Sequence, residues 1–502
     1  MATTTSDVKL LGSWASPFVM RAQIAFNIKS VSYELLEETL YGPKSQLFLQ
    51  SNPIHKKMPV LIHADKPICE SLIIVQYIDD VWTNGPTILP SDPYDRAIAR
   101  FWAAYIDDKC FASIQDIARG LLEGEAKKAA IEQMSLGLIL LEEAFEKCSK
   151  GKGYFGGEKI GYIDIALGSL LGWIKVMEKM LGVKLIYEAK APGLVGWAER
   201  FCEDSAVKEV MPEIEKLEEV AKLLHAMFKA PPNSSHRLFI ALYPRTGYRD
   251  YRPSLNTRNQ ICIRDCVCDQ SAMATSDVKL LGSWVSPFVM RAQIAFNIKS
   301  VSYEFLQETL DGSKSQLLLQ SNPIHKKIPV LIHADKPICE SLIIVQYIDE
   351  VWTNGPNILP SDPYDRAIAR FWAAYIDDKC FASFLEIARG LLEGEAKKAA
   401  IEQMSSGLIL LEEAFEKCSK GKGYFGGEKI GYIDIALGSF LGWIKVIEKM
   451  LGVKLIYEAK TPGLVGWAER FCEDSAVKEV MPEIEKLEEV AKLLQAKYKG
   501  SS

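Results

Sequence analysis

The stretch VKLLGSWASPFVMRAQIAFNIKSVSYELLE, residues 8–37, decides the fold. Residues 8–14 form a short apolar segment of strand length, and residues 16–29 carry apolar side chains at helical spacing, with proline at the first helical position. Residues 32–37 return to the alternation of a strand. The stretch therefore predicts a βαβ unit.

The residues that follow extend this unit into a small α/β layer. Residues 45–50 have the spacing of a short helix, and residues 59–63 and 68–70 are brief strands on either side of the turn ADKP. Residues 71–82 repeat apolar side chains at helical spacing, which is typical of an amphipathic helix that closes one face of a sheet. The predicted element order is βαβαββα.

Everything beyond the breaker-rich segment NGPTILP, residues 84–90, has helical periodicity. The predicted helices cover residues 94–119, 125–147, 162–181, 194–203 and 214–228. One start is well defined, because Gly161 stands as N-cap and Asp164 as third helical residue; we expect this feature to be structural. The sequence thus predicts an α+β class, with an α/β domain followed by an all-α domain.

The chain contains this arrangement twice. Residues 8–229 recur as residues 278–499 with scattered substitutions, and a repeat this long is the duplication of a whole protein rather than a solenoid unit. The expected units are residues 6–83 and 92–229 in copy one, residues 276–353 and 362–499 in copy two, and a linker at residues 230–275 that we expect to be disordered. The segment SAMATSD at the end of the linker is similar to a second chain start, so we hypothesise that two neighbouring genes were joined.

Composition restricts the possible functions. A formal net charge of −6 and a pI near 5.8 give no basic footprint for nucleic acid, and no apolar stretch approaches the length of a membrane span. The expected location is the cytoplasm, since the first residues have no pattern of a secretory signal. The eleven cysteines lack the spacing of a zinc site, so we expect reduced thiols and no metal; Cys262, Cys266 and Cys268 in the linker are taken as incidental.

Three motifs carry a family resemblance over nearly all of each copy. They are LLGSWASPF at residues 10–18, NPIHKKMPVLIH at residues 52–63 and ESLIIVQYID at residues 70–79, each with a counterpart in copy two. Together they resemble a plant glutathione S-transferase of the tau class. The resemblance implies a thioredoxin-like glutathione-binding domain, a helical domain that shapes the pocket for an electrophile, and two-fold dimers, formed either between chains or by the two copies within one chain.

A glutathione transferase must ionise a thiol, because the thiolate is the nucleophile and an unperturbed thiol is mostly protonated at neutral pH. Ser16 precedes Pro17 at the start of the first helix, where its hydroxyl can donate to a thiolate beside the positive end of the helix dipole. The resemblance makes Ser16 and Ser286 the catalytic serines. By itself, a serine in this place is more often a plain N-cap. A serine here rather than a cysteine favours conjugation over thiol transfer.

Glutathione offers two carboxylates and an amine, so its site should combine a backbone edge with charges of both signs. The resemblance gives Met58 and Pro59 a cis peptide bond whose backbone meets the cysteinyl part of glutathione. It also places Glu70 and Ser71 at the γ-glutamyl end. The remaining predicted glutathione contacts are Pro17, Lys44 and Lys57 in copy one and Lys314, Lys327, Ile328, Glu340 and Ser341 in copy two.

Two positions depart from the family pattern. Pro43 and Ser313 stand where the family usually has asparagine, so a polar contact is lost there. Copy one has Met58 where the family favours a β-branched residue, as Ile328 does, and affinity for glutathione can therefore differ between the copies.

The electrophile pocket is predicted less sharply, because its apolar walls look like any helical core. The candidates are Tyr105, Lys109, Trp173 and Phe228 in copy one and Tyr375, Lys379, Trp443 and Tyr498 in copy two. The segment around Ile114 and Gln115 becomes Phe384 and Leu385 in copy two, which suggests different substrate ranges.

The sequence therefore predicts an enzyme that joins glutathione, its co-substrate, to hydrophobic electrophiles, with no further cofactor. Detoxification, stress response and reduction of organic hydroperoxides by glutathione belong to this hypothesis. The alternative that the residues leave open is a non-catalytic carrier of hydrophobic ligands such as flavonoids.

Overall fold

A computed structural model of the chain describes residues 7–229, 277–310 and 312–499. The predicted linker and its three cysteines lie outside the described residues. Each copy contains one four-stranded sheet, and the rest of its described secondary structure is helical, which confirms the predicted α+β class.

The glutathione-binding half of copy one is built on strands β1 to β4. These are β1 (Val8–Gly12), β2 (Glu34–Glu37), β3 (Val60–His63) and β4 (Lys66–Cys69), in the spatial order β2-β1-β3-β4. Strand β1 is parallel to β2 and antiparallel to β3, which in turn is antiparallel to β4. The parallel pair is the predicted βαβ unit, and the β3–β4 hairpin turns through Ala64 and Asp65, both with positive φ.

Three helices flank this sheet: α1 (Pro17–Ile28), α2 (Gln46–Ser51) and α3 (Ser71–Val81). Helix α1 begins where Ser16 supplies the N-cap and Pro17 the first helical residue. It is buried almost throughout, with Val19 and Phe26 packed on the sheet and on α3. A separate small cluster of Leu11 and Phe48 holds α2 against the opposite face.

The helical half of copy one contains α4 (Pro93–Tyr105), a π-helical segment (Ile106–Phe111), α5 (Ala112–Ala118), α6 (Gly124–Ser149), α7 (Tyr162–Gly168), α8 (Leu171–Leu181), α9 (Pro192–Glu203), α10 (Ser205–Lys208) and α11 (Ile214–Lys229). Two predicted helices are therefore divided. The helix expected at residues 94–119 passes through the π-helical segment, and the helix expected at residues 162–181 is broken after Gly168. The short helix α10 was not predicted.

The start of α7 contains a buried carboxylate with several hydrogen-bond donors. The fully buried carboxylate of Asp164 accepts hydrogen bonds from the backbone N–H groups of Phe155, Gly156 and Gly161 and from Trp197 Nε1, at 2.7–2.9 Å. A buried carboxylate with four donors is a structural anchor, as the sequence indicated. Burial nevertheless raises the pKa of Asp164 to about 6.

Copy two repeats the same elements. Its strands are β5 (Val278–Gly282), β6 (Glu304–Gln307), β7 (Val330–His333) and β8 (Lys336–Cys339). Its helices are α12 (Pro287–Lys299), α13 (Gln316–Ser321), α14 (Ser341–Val351), α15 (Pro363–Tyr375), α16 (Phe384–Ala388), α17 (Gly394–Ser419), α18 (Tyr432–Gly438), α19 (Leu441–Leu451), α20 (Pro462–Glu473), α21 (Ser475–Lys478) and α22 (Ile484–Lys499), with a π-helical segment at Ile376–Cys380.

The two copies pack against each other through α3 and α4 of copy one and α14 and α15 of copy two. Phe371 joins the core of copy one and Phe101 that of copy two. Glu350 accepts hydrogen bonds from Arg96 Nε and Arg100 Nη2, at 2.9 and 2.8 Å. In the reciprocal arrangement, Asp80 accepts a hydrogen bond from Arg366 Nε at 3.0 Å and lies 3.6 Å from Arg370 Nη1. The copies thus form an approximately two-fold pair within one chain.

No helix among the described residues has the length and hydropathy needed to cross a bilayer. Within the same residues no group of three His, Cys, Asp or Glu side chains is placed to hold a metal ion. The cysteines of this part of the chain are all free thiols.

Candidate active site

Ser16 lies at the junction of β1 and α1 and is 4% exposed. Its Oγ accepts a hydrogen bond from Val19 N at 3.4 Å, the long bond of an N-cap. No acceptor for the Ser16 hydroxyl proton is present among the described residues. Ser286 repeats the arrangement with Val289 N, also at 3.4 Å. Each serine is therefore both an N-cap and a buried hydroxyl with one donor to spare.

An indole group fixes the backbone beside each serine. Trp173 Nε1 donates to the carbonyl of Ala15 at 2.9 Å, and Trp443 Nε1 donates to the carbonyl of Val285 at 2.8 Å. Both tryptophans are buried, so they support the serine loop from the helical domain. The sequence did not predict this contact, because it left Trp173 open between the pocket wall and core packing.

Arg21, in the same helix α1 that Ser16 caps, forms bonds to both domains of copy one. Its guanidinium is fully buried and pairs with both carboxylate oxygens of Asp107, at 2.6 and 2.9 Å. It also donates to Ser71 Oγ, Ser169 Oγ and a backbone carbonyl. A bidentate pair with this many further bonds is a structural element. Asp107 lies in the π-helical segment, and the sequence gave no signal for its role.

Glu70 stands immediately before α3 with φ +71°, an unusual conformation for a residue that is not glycine. Its carboxylate lies 2.7 Å from His55 Nδ1. Burial by itself raises the pKa of Glu70, but His55 and the ammonium groups of Lys57 and Lys379 more than offset it, so the pKa lies below its usual value. The strained backbone directs an ionised carboxylate beside the N-terminus of α3.

Lys379 belongs to copy two, so copy two contributes charge to the site of copy one. Burial lowers the pKa of Lys57, and the nearby charge of Lys379 lowers it further. Lys109 of copy one acts in the same way on Glu340 and His325 of copy two. The structure therefore places Lys109 and Lys379 beside the glutathione motifs of the other copy. The sequence had assigned them to electrophile pockets.

The remaining predicted glutathione residues have the following local geometry. The Met58–Pro59 and Ile328–Pro329 peptide bonds are cis, as the motif predicted. Lys44 Nζ donates to the carbonyl of Thr39 and stands 5.4 Å from the centre of the Phe48 ring. Lys314 Nζ donates to the carbonyls of Thr309 and Leu310, at 2.9 and 3.1 Å. Ser71 and Ser341 begin α3 and α14, with Pro17 at the start of α1.

The other pocket candidates separate into two groups. Tyr105 and Tyr375 are buried aromatic residues of the contact between copies, with ring centres 6.1 Å from His325 and 5.9 Å from His55 respectively. Each tyrosine ring therefore packs against a histidine of the other copy. Phe228 meets Tyr41 edge to face at 6.1 Å, and Tyr498 stacks with Arg389 at 5.1 Å, so both lie at the end of the helical domain.

Copy two contains an aromatic cluster beside its serine loop. Phe440 stacks on Phe381 with ring centres 4.3 Å apart and contacts Phe384 and Phe288 edge to face, at 5.3 and 5.5 Å. Phe384 in turn meets Trp443 at 5.4 Å. Leu170 and Ile114 occupy the positions of Phe440 and Phe384 in copy one. The sequence had singled out Phe384 but not Phe440, which is the centre of the cluster.

With this geometry established, comparisons with known proteins identify the family. The model of the glutathione S-transferase N-terminal domain matches residues 6–80 and 276–350. The model of the glutathione S-transferase C-terminal domain matches residues 97–204 and 365–474. The chain belongs to the glutathione S-transferase family, and it contains both domains twice.

Individual relatives refine this result. Glutathione S-transferase U18 of Arabidopsis thaliana is 65% identical over 44% of this chain and 97% of the relative. Glutathione S-transferase U17 of the same plant is 63% identical over 44% of this chain and 96% of the relative. Identity at this level places each copy in the tau class and favours glutathione conjugation over a non-catalytic carrier.

Two solved structures each match a stretch about the length of one copy. A tau class glutathione S-transferase from mango, Mangifera indica, is 66% identical, with 44% of this chain and all of that chain covered and a TM-score of 0.42. A rice glutathione S-transferase solved with glutathione is 37% identical, with 44% of this chain and 99% of that chain covered and a TM-score of 0.41.

Proposed function

We propose that Ser16 and Ser286 activate glutathione in the two copies of this glutathione transferase by donating a hydrogen bond to its sulfur. A buried hydroxyl with a spare proton stabilises a thiolate more than a thiol, and the N-terminal N–H groups of α1 and α12 add positive potential. The thiolate then attacks the electrophilic atom of the second substrate, and the carbon–sulfur bond forms while halide leaves or a carbonyl-conjugated double bond accepts the electrons.

Glutathione lies, in this proposal, along the edge formed by the cis-proline turn and the start of α3. The backbone of Met58 pairs with its cysteinyl part, Ser71 and its N–H group hold the γ-glutamyl carboxylate, and Glu70 holds the γ-glutamyl ammonium. The glycyl carboxylate meets Lys44 and Lys57. Copy two uses Ile328, Ser341, Glu340, Lys314 and Lys327 in the same roles.

Each glutathione site is completed by the other copy in this proposal. Lys379 and Asp378 of copy two stand close enough to Glu70 and Lys57 to influence their charge, and Lys109 and Asp108 do the same beside Glu340. The working unit is then an internal pseudo-dimer, a single chain with two sites.

The electrophile occupies the apolar space between the serine loop and the helical domain. The physiological role we propose is detoxification and stress response in the cytoplasm, on aromatic halides, unsaturated carbonyls and organic hydroperoxides. The aromatic cluster around Phe440 gives copy two a different pocket wall from copy one.

This proposal rests on the buried hydroxyl of Ser16 at the start of α1, which accepts one hydrogen bond and keeps its own proton available to donate. Changing Ser16 and Ser286 together to alanine should lower chlorodinitrobenzene conjugation at least tenfold, which corresponds to about 1.4 kcal/mol of barrier. The measurement is steady-state conjugation, with circular dichroism to confirm the fold.

A matched control removes helix caps that have no catalytic assignment. Asp92 and Asp362 cap α4 and α15 by accepting hydrogen bonds from Asp95 N and Asp365 N, both at 2.9 Å. Changing both to alanine should lower stability by about 1 kcal/mol and leave turnover per folded enzyme unchanged. Unchanged turnover in the serine double variant would remove these serines from the mechanism.

A further inference from the structure

Arg119 of copy one lies beside two aromatic rings that belong to different domains. Its guanidinium carbon is 5.9 Å from the centre of the Tyr41 ring and 5.4 Å from that of Phe228. Tyr41 follows β2 in the thioredoxin-like domain, whereas Phe228 is in the last helix of copy one, α11. We call these three residues the Arg119 strap, because they connect the two domains across the cleft.

The guanidinium of Arg119 has unused hydrogen-bonding capacity. Its Nη2 donates to Tyr41 Oη at 3.4 Å, and its Nε is buried without a hydrogen-bond partner. Within residues 7–229, 277–310 and 312–499 no carboxylate stands within ion-pair distance of it. A guanidinium packed beside two aromatic rings keeps its charge and its planar donors, and the ligand that satisfies such donors best is a carboxylate.

The position of Arg119 indicates where that carboxylate would come from. Burial lowers the pKa of the Lys57 ammonium, Lys379 lowers it further, and Arg119 also contributes. The positive charges of Arg119 and Lys57 therefore repel each other. An anion that meets both cations relieves this repulsion and joins a charge from each domain.

We propose that Arg119 is a substrate-binding residue of copy one that recognises a carboxylate. The carboxylate belongs either to the glycyl end of glutathione or to an anionic electrophile held beside it. This inference rests on the proposed function, since both substrates bind in the cleft that the strap crosses.

Copy two differs at the residues of the strap. Asp311 stands in the sequence where copy one has Tyr41, and it lies outside the described residues. Tyr498 replaces Phe228 and stacks with Arg389 at 5.1 Å. Two of the three residues of the strap therefore differ in sequence between the copies, and the proposal concerns copy one alone.

The test uses the full chain with one copy silenced. In the Ser286→Ala chain, copy one is read with 4-chloro-3,5-dinitrobenzoate and its methyl ester, and separately with glutathione and its glycyl ethyl ester. Arg119→Gln should lower kcat/KM for the acid about tenfold in at least one of these pairs, with the matching ester changed less than about twofold. The pair that responds identifies the source of the carboxylate.

Three further variants control this result. Arg119→Lys should restore part of the preference for the acid, because it keeps the charge without the planar donors. Tyr41→Asp should weaken the preference, whereas Tyr41→Phe should retain it. Arg389→Gln in the Ser16→Ala chain should leave the acid-to-ester ratio of copy two unchanged.

The inference is overturned if Arg119→Gln lowers acid and ester equally in both pairs, because a structural role would have that effect. Loss of turnover of every substrate by the Ser286→Ala chain would instead contradict the proposed function. Equilibrium binding of the same acids and esters to that chain, followed by tryptophan fluorescence, decides the role of Arg119 in either case.

Discussion

The two glutathione sites share most of their motif residues, but the pKa of one glutamate shifts in opposite directions in the two copies. In copy one, His55 lies 2.7 Å from Glu70, and the pKa of Glu70 is lowered because His55, Lys57 and Lys379 outweigh the effect of burial. In copy two, burial raises the pKa of Glu340, which Lys327 only partly offsets. Burial, with Lys327 and Lys109, lowers the pKa of His325 to about 4.

This difference shows that an identical motif does not determine an ionisation state. The His55 ring lies 5.1 Å from Phe371, and the His325 ring lies 5.4 Å from Phe101, so each histidine packs on an aromatic residue of the other copy. Two nearly identical sequences can thus form a pair of unequal sites.

The largest expected effect is on the ion pairs that hold the copies together. Glu350 receives hydrogen bonds from both Arg96 and Arg100, whereas Asp80 receives one from Arg366 and a longer contact from Arg370. Glu350→Ala should lower the free energy of unfolding by about 3 kcal/mol, because it leaves the buried guanidinium of Arg100 without its carboxylate partner. Asp80→Ala should cost about half as much. Urea denaturation of the full chain measures both values.

The control for the ion pairs is Glu125→Ala, which breaks an exposed pair with Lys128. It should change stability by less than about 0.5 kcal/mol. Equal losses for Glu350→Ala and Glu125→Ala would show that the contact between copies contributes little to the folded chain.

A second prediction sharpens the difference between Glu70 and Glu340. A carboxyl group with a raised pKa takes up its proton at higher pH, so Glu340 should lose its charge before Glu70 as the pH falls below 7. The KM for glutathione of copy two, read in the Ser16→Ala chain, should then rise about threefold more than that of copy one between pH 7 and mildly acidic pH. Steady-state kinetics over this range measures the difference.

Glu340→Gln is the matched variant for this pH dependence. It should raise the KM of copy two at neutral pH and remove its additional dependence on pH. Superimposable pH profiles of the two copies would contradict the assignment of unequal charge.

The smallest expected effect concerns the pocket wall. Exchanging Phe384 for Ile and Phe440 for Leu gives copy two the residues of copy one at both positions. The ratio of kcat/KM between a bulky aromatic electrophile and a small one should move about threefold towards that of copy one. A substrate series on the Ser16→Ala chain provides the measurement, and an unchanged ratio would place the cluster outside the pocket.

The sequence predicted the sheet, its βαβ unit and the all-α half because these depend on local periodicity and turn residues. The predicted strand at residues 8–14 is observed as Val8–Gly12, and the helix at residues 71–82 as Ser71–Val81. The π-helical segment was missed, because one widened turn leaves apolar periodicity almost unchanged. Asp107 lies in this segment and pairs with Arg21. The sequence therefore did not predict the ion pair that joins the two domains.

The site was predictable where a motif specifies backbone geometry, as at Ser16 and at the cis bond before Pro59. The site was not predictable where residues of one copy contact residues of the other copy. Helical spacing places Tyr105 and Lys109 on one face of a helix, but it does not say what covers that face. The second copy contacts it, which the sequence of one copy does not reveal, and the assignment of these residues to the electrophile pocket stays a prediction.

The most direct test of the account is the pKa of the glutathione thiol when bound. Thiolate absorbance titrated on the full chain should give a pKa at least about one unit below that of free glutathione. The chain with both Ser16 and Ser286 changed to alanine should return the bound thiol close to the value in free solution. A bound thiol that ionises no more readily than free glutathione in the unsubstituted chain would contradict activation by these serines.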